Sequence, residues 1–291
     1  MKWKESFHPY AITTIVLWSL AYVMTRIALR SFSAFSLGFL RYFTASCTLI
    51  LFALATKMKL PYRKDFKWFL AAGALGFFLY MIFFNKGCET ITASTSSVII
   101  ATVPVLTTLA ARFFQDEKLN RLQWTAIFFE FAGVVVLSLL HGEVNLDVGI
   151  LWLILAAISL SLYNLLQRRL TKTYTALQIT AFSIFIGTIM LGIFSPEAVV
   201  EWKNTSTEGM AAVLILGVFS SAAAYAAWSK AFAKADNTSS VSNYMFATPF
   251  LASLLGFLLA GEIPDLSTIA GGTLILIGMG VFHFGGAGKQ N

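Results

Sequence analysis

Ten apolar runs of about 20 residues constrain this chain more than any other feature. They fall at 9–28, 33–55, 66–86, 93–113, 121–140, 148–168, 174–194, 208–230, 239–260 and 265–285. Each is long enough to cross a hydrocarbon core of about 30 Å at 1.5 Å rise per residue. Lipid offers no hydrogen bonds, so a spanning segment must satisfy its own backbone, and runs of this length do so as α-helices. The connections are short and polar, as at 57–65, 116–121 and 141–147, which leaves no room for a sizeable soluble domain. Only 12% of the residues are charged and the mean hydropathy is +0.75, whereas a soluble domain carries about 25% charged residues. The expected fold class is an all-α integral membrane protein of ten transmembrane helices. The first run follows Lys2 and Lys4, as a signal peptide would. It is longer than a signal h-region and lacks a small-residue cleavage site, so we read it as a retained helix.

Lysine and arginine set the expected orientation. With both termini cytoplasmic, 16 of the 21 basic residues fall on the cytoplasmic face and 4 on the other, and Arg41 lies within a span. This predicts a multi-pass protein of the cytoplasmic (inner) membrane. Basic loops facing anionic lipid account for the net charge of +7, so no nucleic-acid partner is expected. Cys47 and Cys88 have no C-x-x-C spacing, and His8, His141 and His283 are far apart without an H-E-x-x-H pattern. No metal site or other cofactor is expected.

The two halves resemble each other. Pro104 and Pro249 are 145 residues apart, as are Glu117 and Glu262, Gly133 and Gly278, and Ser94 and Ser239. Lys86 matches Lys230 and Gly73 matches Gly217 at 144, and Arg26 matches Arg168 at 142. Five spans per repeat is an odd number, so the second half must enter the membrane from the opposite side. We therefore expect two inverted five-helix repeats, residues 1–141 and 142–291, around a central cavity, a construction common among secondary transporters.

The stretch 92–139 and its counterpart 237–282 each place a proline in a small-residue helix, then a Glu turn, then a Gly-containing helix. In this the chain resembles the ten-helix EamA-type members of the drug/metabolite transporter superfamily. That family's common Gly-Glu is kept at Gly261-Glu262 and replaced by Asp116-Glu117 in the first half. The resemblance implies two bundles around a central cavity and alternating access. It favours export over import. It also disfavours a multidrug or cation exporter, since related cation exporters use a Glu in the first span and residues 9–28 contain no acid.

Candidate substrate-binding residues come from polar stripes. Trp18, Tyr22 and Thr25/Arg26 share one face of the first span. Ser161, Asn164 and Gln167/Arg168 share a face of the sixth. Tyr80, Asn85, Tyr225, Trp228 and Asn243 extend the set. The alternative for all of them is interhelical hydrogen bonding or an interfacial aromatic belt. Lys86 and Lys230 are candidate gating residues unless they snorkel. Pro104 and Pro249 are expected to kink spans four and nine as hinges. Glu130 is a carboxylate near the middle of a span, where its charge costs about 2.5–3.5 kcal/mol, and so a candidate proton carrier. It shares a face with Ala126 and Gly133, whose repeat partners are Gly271 and Gly278, so burial between spans five and ten is the structural alternative. For Arg41, snorkelling and pairing with Glu130 both stand open.

These features predict a secondary transporter of a small polar or zwitterionic metabolite such as an amino acid, working in the bilayer with protons as a candidate coupling ion. A monomer is compatible with that reading. A channel is the alternative of a different class. An intramembrane enzyme is disfavoured, because the spans hold no G-x-S-x-G and no His beside a Ser or Asp.

Overall fold

The computed structural model describes residues 6–115, 120–139, 148–170, 172–234 and 243–287. All of its regular structure is helical. α1 is His8–Ala28 and α2 is Ala34–Ala55. α3, Phe66–Gly73, runs through a π-helix, Ala74–Leu79, into α4, Tyr80–Thr90. α5 is Ala93–Ile100, α6 is Val103–Gln115 and α7 is Arg121–Leu139. α8 is Val148–Leu170, α9 is Ala176–Leu191 and α10 is Ser195–Asn204. α11, Thr207–Leu214, runs through a second π-helix, Ile215–Ala223, into α12, Ala224–Lys234. After a 3-10 turn, Asn243–Ala247, come α13, Thr248–Ala260, and α14, Leu266–Ala287. Among the described residues, six helical stretches are long and apolar enough to cross a membrane.

Hydroxyl residues start the helices where the apolar runs begin. Ser33, Thr92 and Ser206 accept hydrogen bonds from the backbone N–H groups of Ser36, Thr95 and Gly209. Thr175 and Gln178 form a full capping box at α9. Each cap satisfies donors that the first turn leaves open. Large apolar side chains such as Leu51, Leu54, Phe128, Leu151 and Ile189 remain exposed. Helices apolar on every side are those of a membrane bundle, whose outer surface meets lipid.

Two helices sit in matching surroundings. α1 packs against α11, the second π-helix, α12 and α13. α8 packs against α3, the first π-helix, α4, α5 and α6. α2 packs on α9 and the second π-helix, α9 on α3 and the first π-helix, α5 on α13, and α7 on α14. Glycines allow the close crossings. A Cβ on Gly133 of α7 would lie 2.6 Å from the Gly271 carbonyl oxygen of α14. One on Gly217 would lie 2.5 Å from Thr44 Cβ and 2.9 Å from the Arg41 carbonyl oxygen of α2.

The expectation of kinked spans four and nine is revised. Span four is interrupted by a turn at 101–102 and span nine by the 3-10 turn, and each proline is the second residue of the helix that follows. A proline in the first turn forfeits no helical hydrogen bond, because that N–H has no intrahelical partner. Pro104 and Pro249 therefore start helices rather than bend them.

Backbone carbonyls beside Gly133 and Gly217 cannot retreat from an added methyl group. Gly133→Ala and Gly217→Ala should each lose about 1–3 kcal/mol and lower the Tm of the detergent-purified protein. Gly192→Ala, with nothing within 4 Å of the new Cβ, should leave the Tm unchanged.

Candidate functional site

Of the first-span stripe, Trp18 faces the eighth span. The Trp18 ring lies 5.1 Å from that of Trp228 and 5.4 Å from that of Tyr225. Tyr22 is buried, with its ring edge-on to Phe84 at 5.5 Å, and Phe84 stacks on Tyr80 at 5.5 Å. Phe77 joins the groups, lying 6.0 Å from Tyr225, 5.2 Å from Tyr163 and 5.3 Å from Tyr42. Tyr80 and Tyr225 follow the two π-helices directly or within two residues. A π-turn shifts the register of all that follows, so it re-aims these side chains. Both tyrosines are half-buried.

The sixth-span stripe turns to the broken fourth span. Asn164 Nδ2 donates to Thr107 Oγ1 at 3.2 Å, and Ser161 Oγ donates to the Val103 carbonyl at 3.2 Å. Gln167 is half-buried beside them on α8. Asn85 is fully buried and donates to the Ala34 carbonyl at 2.9 Å, tying α4 to the start of α2.

Arg41 lies inside this aromatic region. It is only 6% exposed, and its Nε donates to Ser221 Oγ on the second π-helix at 3.0 Å. The guanidinium lies 5.8 Å from the Tyr42 ring centroid and within electrostatic range of Tyr22, Tyr80 and Tyr225. Snorkelling is thereby excluded.

One end of the bundle is tied by charge. Arg26 Nε donates to Glu262 Oε1 at 3.1 Å, while Arg26 Nη1 donates to the carbonyls of Cys88 at 2.8 Å and Glu89 at 3.0 Å. Glu262 Oε2 accepts from the Ala93 backbone N–H at 2.8 Å. Gly261 makes this possible: its φ of +66° ends α13 in the left-handed region, which suits glycine and turns Glu262 back toward α1. An open cleft of about 430 Å³ lies here, lined by Arg26, Leu29, Arg30, Phe32, Ser33, Glu89 and Glu262. Lys86 pairs with Glu89 at 2.7 Å. At the opposite end, Lys230 and Lys234 lie 5.8 and 5.6 Å from the Tyr10 ring, and His8 Nδ1 hydrogen-bonds the Tyr244 hydroxyl.

The side chains of Pro104, Glu130, Arg168, Asn243 and His283, and residues Asp116, Glu117 and His141 altogether, lie outside the described residues. In helical register Glu130 falls between Ala126 and Gly133, both buried. Among the described residues no group of three His, Cys, Asp or Glu is placed to hold a metal ion. Sequence reading missed the π-helices, for which no residue pattern was available. It left Arg41 undecided, although an arginine deep in a span is itself a signal.

The profile of the EamA-like transporter family matches residues 7–139 and again 147–283. An uncharacterized transporter of Bacillus subtilis is 31% identical over 271 residues, 91% of this chain and 87% of that protein. A "probable terminal-alkyne amino-acid exporter" of Streptantibioticus cattleyicolor is 25% identical, covering 92% of this chain and 90% of its own length. An S-adenosylmethionine uptake transporter of Rickettsia prowazekii is also 25% identical, over 91% and 88%. A solved crystal structure shares the fold over 97% of this chain and 98% of its own, with a TM-score of 0.64 at 19% identity.

The Arg26–Glu262 pair ties the helices beside Cys88, whose side chain is fully buried. In a Cys47→Ser background, Arg26→Ala or Glu262→Ala should speed maleimide labelling of Cys88 by about fivefold or more, since opening exposes groups in proportion to its equilibrium constant. An unchanged labelling rate would show that the pair does not hold this end shut.

Proposed function

Because the chain belongs to the EamA-like transporter family, we propose that it is a secondary transporter moving a small polar or zwitterionic metabolite, such as an amino acid, by alternating access. It is a multi-pass membrane protein, and in this reading it has ten spans in two inverted repeats, 1–141 and 142–291, with both termini cytoplasmic. The observation that carries the reading is one helix contact made twice. Gly217 faces Thr44 and the Arg41 carbonyl. Gly73, 144 residues earlier, faces Ile186 and the Ser183 carbonyl, each 142 residues later than its counterpart. The matching surroundings of α1 and α8 support the same relation.

The substrate site in this reading lies near the midplane, between the halves. Trp18, Tyr22, Tyr80, Tyr225 and Trp228 supply rings, and Asn164 and Gln167 supply amides. Asn243 stays in the set from its sequence position. Asn85 stays in the set: its Nδ2 ties α4 to α2 at Ala34, and its buried Oδ1 has no partner among the described residues. The chain breaks at Pro104 and Pro249 serve as hinges, and Lys86 and Lys230 border opposite mouths. Glu130 remains the candidate proton carrier. The names of two relatives support the substrate class, because S-adenosylmethionine is itself an amino-acid derivative and the other relative is named for amino acids. Export is the direction we propose.

Counterflow into proteoliposomes tests the proposal. A carrier preloaded with its solute accelerates uptake of the labelled solute, and a channel does not. Asn164→Ala and Tyr22→Ala should each remove a buried contact worth about 1–3 kcal/mol, weakening apparent affinity by roughly 5- to 150-fold. Leu151→Ala, on the exposed face, should match wild type. Wild-type affinity in well-expressed Asn164→Ala and Tyr22→Ala would move the site elsewhere. Glu130→Gln should abolish gradient-driven transport and spare exchange; intact gradient-driven transport removes the coupling role. Orientation is checked separately with single cysteines at positions 61, 144 and 204, of which only the last two should react with an impermeant reagent in intact cells.

A further inference from the structure

Arg41 is the eighth residue of α2, roughly 10 Å along the helix from its start at 1.5 Å per residue. A guanidinium has five N–H donors and no acceptor. Only Nε has a partner among the described residues, the Ser221 hydroxyl. Neither ion pair among the described residues includes Arg41. The residue as a whole is only 6% exposed. It lies within electrostatic range of the half-buried Tyr80 of α4 and Tyr225 of α12. Also within range are Tyr22 of α1, Tyr42 of α2 and Cys88 of α4. Pairing with Glu130 finds no support in the packing, because α7 lies on α14 while α2 lies on α9, α10, α4 and the second π-helix.

The helix crossing itself does not require this charge. At the matching crossing in the other half, Ser183 stands where Arg41 stands here, and Phe77 occupies the place of Ser221. The second crossing forms with a serine and a phenylalanine, so the guanidinium and its hydroxyl partner are additions to one half. A buried cation with no counter-charge among the described residues is costly in a medium of low polarity. Such a group is explained if an anion arrives to complete it.

We infer that Arg41 binds the carboxylate of the transported solute, which makes the substrate class carboxylic acids with an apolar or aromatic body, amino acids among them. The guanidinium fork matches a carboxylate with two parallel N–H···O bonds. The rings of Tyr80, Tyr225 and Trp18 accept the rest of the molecule, and an ammonium group can rest on a ring face. A solute whose only charge is positive meets an uncompensated cation and is rejected. This inference rests on the reading of the chain as a small-solute transporter and adds the chemical group that the site selects.

The test is calorimetric titration of the purified full-length protein with the twenty common L-amino acids, followed by the carboxamide of each one that binds. At least one amino acid should bind saturably, and its carboxamide should bind at least about tenfold more weakly. Arg41→Gln should lose the acid by a similar factor and bind acid and amide alike, whereas Arg41→Lys should keep the preference for the acid at reduced affinity. Equal binding of acid and amide by wild type, full affinity in Arg41→Gln, or no binding of any amino acid would overturn the assignment. The acid–amide comparison needs no variant, so a misfolded Arg41→Gln leaves it intact. Counterflow of the same amino acid separates the two ideas: binding that depends on the carboxylate without counterflow would sink the transporter reading and leave Arg41 as an anion site.

Discussion

A hydrocarbon surrounding supplies no hydrogen bonds, and that shortage shapes each level of this molecule. It forces the apolar runs into helices, since no other single segment satisfies its own backbone. It also confines irregular backbone to places where protein, not lipid, surrounds it. The interruption at 101–102 obeys the rule: Thr102 Oγ1 donates to the Ile99 carbonyl, Ser97 Oγ to that of Ser94, and Ser161 Oγ from α8 to that of Val103. Ser253 Oγ serves the Pro249 carbonyl at the start of α13. Hydroxyl-rich, proline-bearing segments are thus the parts of the chain that can break a span inside a bundle without leaving carbonyls bare.

The same shortage turns polar side chains inward, where they meet one another across the bundle. Thr14 reaches the Ala224 carbonyl, Ser46 bonds Thr188, and Thr95 bonds Thr268, each between helices far apart in the chain. Glycines bring the backbones close enough for such contacts, and the two π-helices shift the register of Tyr80 and Tyr225. Among the buried polar side chains described, Arg41 stands apart by its charge. Its charge is buried, and its terminal donors are unmatched among the described residues. The charged tie at the other level, Arg26 with Glu262 and the Ala93 N–H, is by contrast complete. One arrangement suits a structural latch and the other a site awaiting a ligand.

Membership of a transporter family and an interior of aromatic rings around a cation point to a consistent chemistry. Rings provide apolar and cation-tolerant walls for a solute body. In the proposed site a guanidinium would provide a strong, directional contact to orient it. The relatives' named solutes differ in size and direction of movement, as expected when a shared helical frame is specialised by a few interior side chains.

The sequence alone established the class of molecule, because run length, low charge and the need for internal hydrogen bonding leave a helical membrane bundle as the solution. Periodic stripes also marked candidate inward faces; Tyr22 is buried, and Trp18 and Asn164 are half-buried against other helices. Pairing was beyond its reach. Trp18 meets Tyr225 and Trp228 on α12, and Asn164 meets Thr107 on α6, because which helix faces a stripe depends on crossings set by glycines far away in the chain. The π-helices were invisible for a related reason: they arise from how a long helix accommodates its neighbours, not from a local residue preference. Arg41 shows the division most sharply. Its depth in a span was legible, yet whether it snorkels, pairs or stands alone depends on what surrounds it, and only the packed tertiary structure places four tyrosines and a serine, with no described carboxylate, around its charge.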